Sequence, residues 1–355
     1  MIVLGSTGSI GVNTLNIARK FNLEVEVLVA GKNIKLLNEQ IKEFNPKKVV
    51  IASSEDISNV NHNDVKAGET AILETIEESN SNIVVNALVG FLGLRPTLKA
   101  ITCKKRVALA NKESLVVAGK FIDQSNLVAI DSEHFGLWYL IQDKKIESLT
   151  ITASGGSFRD YPLVKLKDVS VKEALNHPNW SMGNKITIDS ATMTNKMFEL
   201  LEAKWLFDTT NIDAIIETKS LIHAMVNFKD GSTTAHIANA SMQLPISYAL
   251  LGRVDENILQ HIDLVKIGSL EFKQIEQERY PIWKLRKEIL KNPDLGVVLN
   301  AANEVAVSKF LNNEIGFLDI SKISIDAINK FNNPTINNID DIFELDKEIR
   351  NYCGD

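Results

Sequence analysis

Short apolar runs alternate with helix-like stretches through the first 130 residues, and that alternation leaves few folds open. Ile2–Leu4, Val25–Ala30, Val49–Ala52, Ile83–Ala87, Arg106–Ala110 and Leu127–Ile130 read as strands. Most are unbroken runs of Val, Ile, Leu and Ala. That is the pattern of parallel strands buried on both faces, not of a sheet with one wet side. Strand–helix repetition of this kind predicts an open, doubly wound α/β sheet of Rossmann type.

Gly5-Ser-Thr-Gly8-Ser-Ile-Gly11 follows the first strand and opens a helix. Glycines there permit a tight turn and close backbone approach to a pyrophosphate, and the helix N-terminus offers free N–H groups to the anion. The same residues also suit a ligand-free strand-to-helix turn. The second strand ends Val29-Ala30-Gly31-Lys32-Asn33, with no carboxylate for a ribose hydroxyl and with Lys32 in its place. A cation and an amide suit a 2′-phosphate, so the expected dinucleotide is NADPH rather than NADH.

The pattern changes after residue 145. Ile146–Ala153, Ile212–Thr218, Ala224–Phe228 and Thr233–Ala238 read as strands, with Asp230-Gly231 as a hairpin turn. A helix from about Ala191 to Leu206 interrupts them, and the sequence from Pro281 onward reads as helices. The expected division is a nucleotide domain at 1–131, a mixed α+β domain at 132–252, a linker at 253–280 and a small helical bundle at 281–355.

Leu127–Ile130 runs directly into Asp131-Ser132-Glu133-His134. With the backbone still extended, Asp131 and Glu133 point to one side. Two carboxylates so close need a cation or a proton between them, and oxygen-only ligands favour a hard ion such as Mg²⁺ or Mn²⁺. A solvated acidic turn is the alternative. Asp189 reads as a helix cap, and Thr192, Asn195, Lys196 and Glu199 then share one polar stripe. The stripe reads either as a water-facing side or as a site in which Asn195 and Lys196 hold a phosphate and Glu199 ligates the metal. The loop His177-Pro-Asn-Trp180-Ser-Met-Gly183 reads either as a lid or as an ordinary surface loop, and Ser154-Gly155-Gly156 either as a phosphate turn or as a plain glycine turn.

Composition narrows the partners. The chain has 355 residues, 45% hydrophobic and 24% charged, with a net charge of −6. That balance argues against nucleic acid as a partner, and no apolar run is long enough to span a membrane. Only Cys103 and Cys353 occur, without metal-type spacing, which points to a reducing, cytoplasmic setting. The N-terminus has no signal-peptide pattern; its apolar start reads as a strand cut short.

Several strings together resemble the 1-deoxy-D-xylulose 5-phosphate reductoisomerase family: GSTGSIG at 5–11, LANKESLV at 109–116, DSEH at 131–134, ASGG at 153–156, HPNWSMGNKITIDSATM at 177–193, NK at 195–196 and LNAANE at 299–304. The resemblance implies an NADPH- and Mg²⁺- or Mn²⁺-dependent enzyme acting on a small phosphorylated sugar, and a homodimer. It implies NADPH contacts at Thr7, Gly8, Ser9, Ile10, Gly31, Lys32, Asn33, Asn111, Glu113 and Gly183. Asp131, Glu133 and Glu199 match the metal ligands. Lys112, Ser132, Ser154, His177, Ser190, Asn195 and Lys196 match substrate positions, and Trp180 matches the lid indole. Glu133 and Glu199 reach the substrate through the metal, and Lys112, Glu133, His177 and Glu199 form the implied catalytic set. Four stretches depart from the family pattern: Ser157 stands for Pro, Met197-Phe198 for Gly-Leu, Phe135-Gly136-Leu137 for Asn-Ala-Ile, and Glu217-Thr218-Lys219 for His-Pro-Gln.

Overall fold

The computed structural model describes residues 1–141 and 144–354. The chain divides into two compact units, each assembled from separate stretches. The first comprises Met1–Ser114, Ile122–Asp131 and Ser241–Leu259; the second comprises Leu115–Phe121, Ser132–Ala240 and Gln260–Asp355.

The first unit is built on seven strands: β1 (Ile2–Leu4), β2 (Val27–Ala30), β3 (Lys48–Ile51), β4 (Val65–Ala67), β5 (Ile83–Asn86), β6 (Arg106–Leu109) and β7 (Leu127–Ala129). Their order is β4-β3-β2-β1-β5-β6-β7, and every neighbouring pair is parallel. The six expected strands are present. The seventh, β4, escapes a hydrophobicity reading because it is a three-residue edge strand with a lysine at its centre. β1 and β2 are buried along their whole length, which is why their sequences show no in–out alternation. The chain winds outward from β1 to β4, then returns to lay β5 on the other side of β1. The β1/β5 boundary is therefore the topological switch point, where doubly wound sheets bind ligands.

One face of this sheet packs Val3, Leu28 and Val49 against Leu15 and Leu37. Val85, Ala108 and Ile130 lie in a second core with Ile17 and with Ile246, Ala249 and Leu250. The last three belong to the helix Gln243–Leu251, which carries hardly any polar residue and must be buried to be stable. This corrects the expected boundary at residue 252: Ser241–Leu259 joins the first unit.

The second unit holds β8 (Ile146–Ala153), β9 (Ile212–Glu217), β10 (Ile222–Phe228), β11 (Thr233–Ile237) and β12 (Phe272–Lys273), in the order β11-β10-β8-β9-β12. β8 and β9 are parallel and the other pairs antiparallel. Asp230-Gly231 makes the expected hairpin turn, with Gly231 at φ 85°. The segment expected as a linker is divided between the units, and its Phe272–Lys273 pairs with β9 at the sheet edge. The expected helical C-terminal region is present, and it belongs to the second unit. Phe310, Phe317 and Ile320 share one core with Phe158, Leu166, Ile188 and Ala191. The helix Leu295–Leu311 is buried over most of its circumference and needs partners on every side.

Candidate active site

In the first unit the nucleotide-type residues gather at the C-terminal ends of β1, β2 and β6. Gly5 leaves β1 at φ 82°, and a Cβ there would lie 2.6 Å from the Ala87 carbonyl oxygen across the switch point. Gly11 lies against the turn so tightly that a Cβ would meet the Gly5 carbonyl at 2.2 Å. The helix Ser9–Lys20 starts after Gly8 with no side-chain cap, so its first N–H groups are left for an anion. Thr7 and Ile10 are half-buried beside the exposed Gly8 and Ser9. Gly31 has open space where a Cβ would stand, and Lys32 is exposed beside it. A pyrophosphate and a 2′-phosphate fit these features.

Asn33 uses its side-chain oxygen to cap the helix Ile34–Phe44, accepting from Leu36 N at 3.2 Å. Asn111, 1% exposed, donates to the Leu88 and Gly90 carbonyls at 2.9 and 2.8 Å. Its amide therefore shapes the loop after β5, and Glu113 accepts from it at 3.2 Å. Lys112 forms an ion pair with Asp131, and both are largely buried.

The second unit builds an anion cradle from three distant stretches. Ser154 ends β8 and is followed by Gly155 and Gly156 at φ 87° and 69°. A Cβ on Gly156 would lie 2.5 Å from Ala191 Cα, so only glycine lets this turn lie against the helix Asn184–Thr192. That approach brings Ser154 Oγ within 3.4 Å of Ser190 Oγ, and His177 Nε2 reaches them at 2.9 and 3.3 Å respectively. His177 Nδ1 accepts from the backbone N–H groups of Asn179 and Trp180 at 3.2 and 2.9 Å, so the ring proton is on Nε2. Ser154 Oγ also accepts from Gly156 N at 3.1 Å, which leaves its hydroxyl proton to donate. Burial, helped by the Arg159 guanidinium, lowers the His177 pKa to about 4. A neutral imidazole N–H and two hydroxyls thus converge as donors. Trp180 is half-buried, its ring edge-on to His223 with centroids 6.0 Å apart.

Beside the cradle, the helix Thr194–Leu206 carries a charged cluster. Lys196 Nζ lies 3.0 Å from Glu133 and also pairs with Glu199. Glu133 and Glu199 offer oxygens within 4.8 Å of one another. Asn195 donates to Glu199 Oε1 at 2.5 Å, and Ser132 to Glu133 Oε2 at 2.7 Å. Glu199 is 1% exposed and Lys196 3%, so charge this deep requires opposite charge alongside. An oxygen-only pair that holds a cation in this way suits a hard divalent ion.

Three local expectations are corrected. Asp131 and Glu133 are not on one extended strand: β7 stops at Ala129 and Ser132–Leu140 is helical. No β-branched residue occurs through that stretch, and Asp131 is a good N-cap residue type, so helix wins over continued strand. Asp189 is not a cap. It lies inside the helix Asn184–Thr192, 2% exposed, accepting from Lys185 at 2.8 Å and from Asn303 at 2.7 Å. The expected helix from Ala191 is broken by Met193 at φ 70°, which removes Thr192 from the stripe and turns Asn195, Lys196 and Glu199 inward. Gly183 precedes the first of these helices and is exposed.

Other residues of this site went unread. Arg159 donates to the Ser154 carbonyl at 2.8 Å. His134 Nε2 donates to the Glu199 carbonyl at 2.9 Å, and its Nδ1 lies 3.1 Å from Glu202. Glu202 follows Glu199 by three positions, a legible same-face spacing; Arg159 gives no such signal. Three of the four departures from the family pattern find a partner here. Ser157 Oγ donates to the Ala174 carbonyl at 2.7 Å. Phe135 is buried against Trp138, Tyr139 and His236. Lys185 lies over the Phe198 ring at 5.1 Å.

Comparison with known proteins agrees over the whole length. Three family models match: 1-deoxy-D-xylulose 5-phosphate reductoisomerase at residues 1–119, its C-terminal domain at 127–207, and the DXP reductoisomerase C-terminal domain at 237–352. The chain is 57% identical to the 1-deoxy-D-xylulose 5-phosphate reductoisomerase of Nautilia profundicola, with 99% of each chain covered. It is 50% identical to that of Helicobacter pylori, covering 99% of this chain and 98% of the other. The reductoisomerase from Zymomonas mobilis, solved in complex with NADPH, superposes with a TM-score of 0.88 at 35% identity, over 99% of this chain and 97% of that one. A reductoisomerase in complex with NADPH, fosmidomycin and magnesium superposes with a TM-score of 0.90 at 32% identity, with the same coverage. With three family models matched along the chain and relatives 50% and 57% identical over 99% of it, the chain belongs to the 1-deoxy-D-xylulose 5-phosphate reductoisomerase family.

Proposed function

We infer that the protein converts 1-deoxy-D-xylulose 5-phosphate to 2-C-methyl-D-erythritol 4-phosphate with oxidation of NADPH, in the non-mevalonate route to isoprenoid precursors. The observation that carries this is the pair of features flanking Met193: a cradle of three neutral donors on one side and a cation-holding carboxylate pair on the other. A phosphorylated sugar needs the first for its phosphate and a divalent ion, held by the second, for its oxygens.

Asp131 joins Glu133 and Glu199 as the third ligand in this reading, because it lies two residues before Glu133 and is already paired with a cation, Lys112. The ion, Mg²⁺ or Mn²⁺, supplies Lewis acidity to the substrate carbonyl, and NADPH supplies the hydride. The chain's own side chains do the rest. Ser154, Ser190 and the His177 Nε2–H bind the phosphate, with Asn195 and Lys196 extending from the next helix. That remote binding energy orients the reacting carbons. Lys196 neutralises charge among the carboxylates, and Lys112 and Ser132 hold the sugar oxygens. Trp180 covers the site and excludes water from reactive intermediates. Thr7, Gly8, Ser9, Ile10, Gly31, Lys32, Asn33, Asn111, Glu113 and Gly183 are the proposed NADPH contacts; Asn33 and Asn111 act by holding the loops that face it.

The first unit is the proposed nucleotide-binding body, and the second the substrate-binding and dimerising body. Exposed Trp138 and Tyr139 on the helix Ser132–Leu140, with Ile237 on the edge strand β11, support a homodimer through that edge. Two unpaired cysteines support a cytoplasmic setting. No helix among the described residues is long and apolar enough to cross a membrane.

The test is the decay of NADPH absorbance on adding 1-deoxy-D-xylulose 5-phosphate with Mg²⁺, followed by a chelator. Turnover that stops on chelation and yields the branched product is expected. Cleavage of the sugar phosphate into two carbonyl fragments without NADPH oxidation would instead indicate an aldolase. Sedimentation of the protein as a monomer at micromolar concentration would remove the dimer.

A further inference from the structure

The departure Glu217-Thr218-Lys219 lies at the end of β9, and its carboxylate is fully buried, with 0% exposure. Glu217 Oε1 accepts from Lys219 N at 2.8 Å, and Oε2 accepts from Leu221 N at 2.7 Å and Ile222 N at 3.2 Å. One side chain thereby ties three backbone donors of a turn in which Ser220 adopts φ 55°. The turn directs two acceptors at the cradle. The Thr218 carbonyl receives Arg159 Nη1 at 2.8 Å and Asn179 Nδ2 at 3.0 Å. Ser220 Oγ receives the same Asn179 amide at 2.7 Å. Arg159 Nη1 also donates to the Ser154 carbonyl at 2.8 Å, and Asn179 lies between His177 and Trp180 in the chain. A single carbonyl thus joins the phosphate turn to the base of the lid.

We propose that Glu217, through the Thr218 carbonyl, Arg159 and Asn179, is a positioning residue that holds the Ser154 turn and the His177–Trp180 segment in register for a phosphate monoester. It touches no substrate itself. The proposal rests on the reading of Ser154, His177 and Ser190 as the phosphate cradle. A cradle of short donors has little tolerance: a displacement of about 1 Å separates a hydrogen bond from a lost one. Glutamine at 217 keeps one acceptor oxygen but turns an NH₂ group toward backbone N–H donors, so at least one tie is broken.

The test measures inorganic phosphate binding by calorimetry in the full-length protein, alongside KM and kcat for the sugar phosphate. Three proteins are compared: wild type, Glu217→Gln and Asn179→Ala. Asn179 is half-buried on a loop, so its variant folds even if the buried substitution does not. Each variant is expected to weaken phosphate binding and raise KM by about tenfold, with kcat changed less and NADPH affinity unchanged. The double variant should be no worse than the poorer single one, because both act on one clamp. Wild-type affinity for phosphate in a folded Asn179→Ala protein overturns the proposal, as do additive effects in the double variant. Failure of the wild type to bind phosphate or the sugar phosphate overturns the cradle instead, so the two failures are distinct.

Discussion

His177 offers the sharpest quantitative test. Its Nδ1 is tied to two backbone N–H groups, and burial beside Arg159 holds its pKa at about 4, below the ordinary 6.5. Between those two values the unfolded chain binds a proton that the folded chain refuses. Stability from this group is therefore fully present above about pH 6.5 and is lost as pH falls toward 4. Each pH unit of that window is worth about 1.4 kcal/mol, so the full loss is on the order of 3 kcal/mol. Residual solvent contact makes this an upper figure. His177→Asn retains an acceptor near the Nδ1 position and removes the titration. Denaturant unfolding of the two proteins from pH 7.5 to 4 should show the wild type losing its advantage across the window. The ring proton shifts in NMR should move with a midpoint near pH 4. A His177 midpoint near 6.5, with a pH-independent stability difference, would refute the tautomer assignment and with it the neutral donor in the cradle.

Other outcomes follow from the same geometry. Glu199→Gln should keep NADPH binding, seen by fluorescence, but reduce turnover at least a hundredfold, because a neutral amide is a poor ligand for Mg²⁺ and leaves Lys196 with one fewer carboxylate; near-wild-type activity removes Glu199 from the metal set. Lys32→Ala should raise KM for NADPH about tenfold and leave KM for NADH unchanged, roughly the value of one charged contact, and equal effects on both would place Lys32 away from the 2′-phosphate. Gly11→Ala would put a methyl 2.2 Å from the Gly5 carbonyl, so thermal unfolding should report a loss of about 3 kcal/mol together with loss of NADPH binding; unaltered melting would mean that the turn relaxes freely.

Some of this protein was written in its linear pattern. Unbroken apolar runs identified the β1, β2, β3, β5, β6 and β7 positions because strands buried on both faces have no polar side to display. The glycine spacing at 5, 8 and 11 was legible because Gly8 and Gly11 close on Gly5 within one turn, although Gly5 itself also lies against the distant Ala87. Asp230-Gly231 was legible for the same local reason. β4 and β12 were not, since two or three residues at a sheet edge carry too little burial to mark a sequence.

What tertiary structure alone decided was the direction in which polar side chains point. Asn195, Lys196 and Glu199 share a helical stripe from spacing alone, and the stripe suits water as well as a buried site. The break at Met193 and the packing of the second helix turned it inward. Asp189 looked like a cap and became a buried acceptor because Asn303, more than a hundred residues later, comes to meet it. Glu217 stood out in the sequence only as part of a departure from the family pattern, and folding made it the anchor of a turn. Periodicity reports which residues share a face; whether that face meets solvent or another element depends on segments distant in sequence, and only the folded chain brings those together.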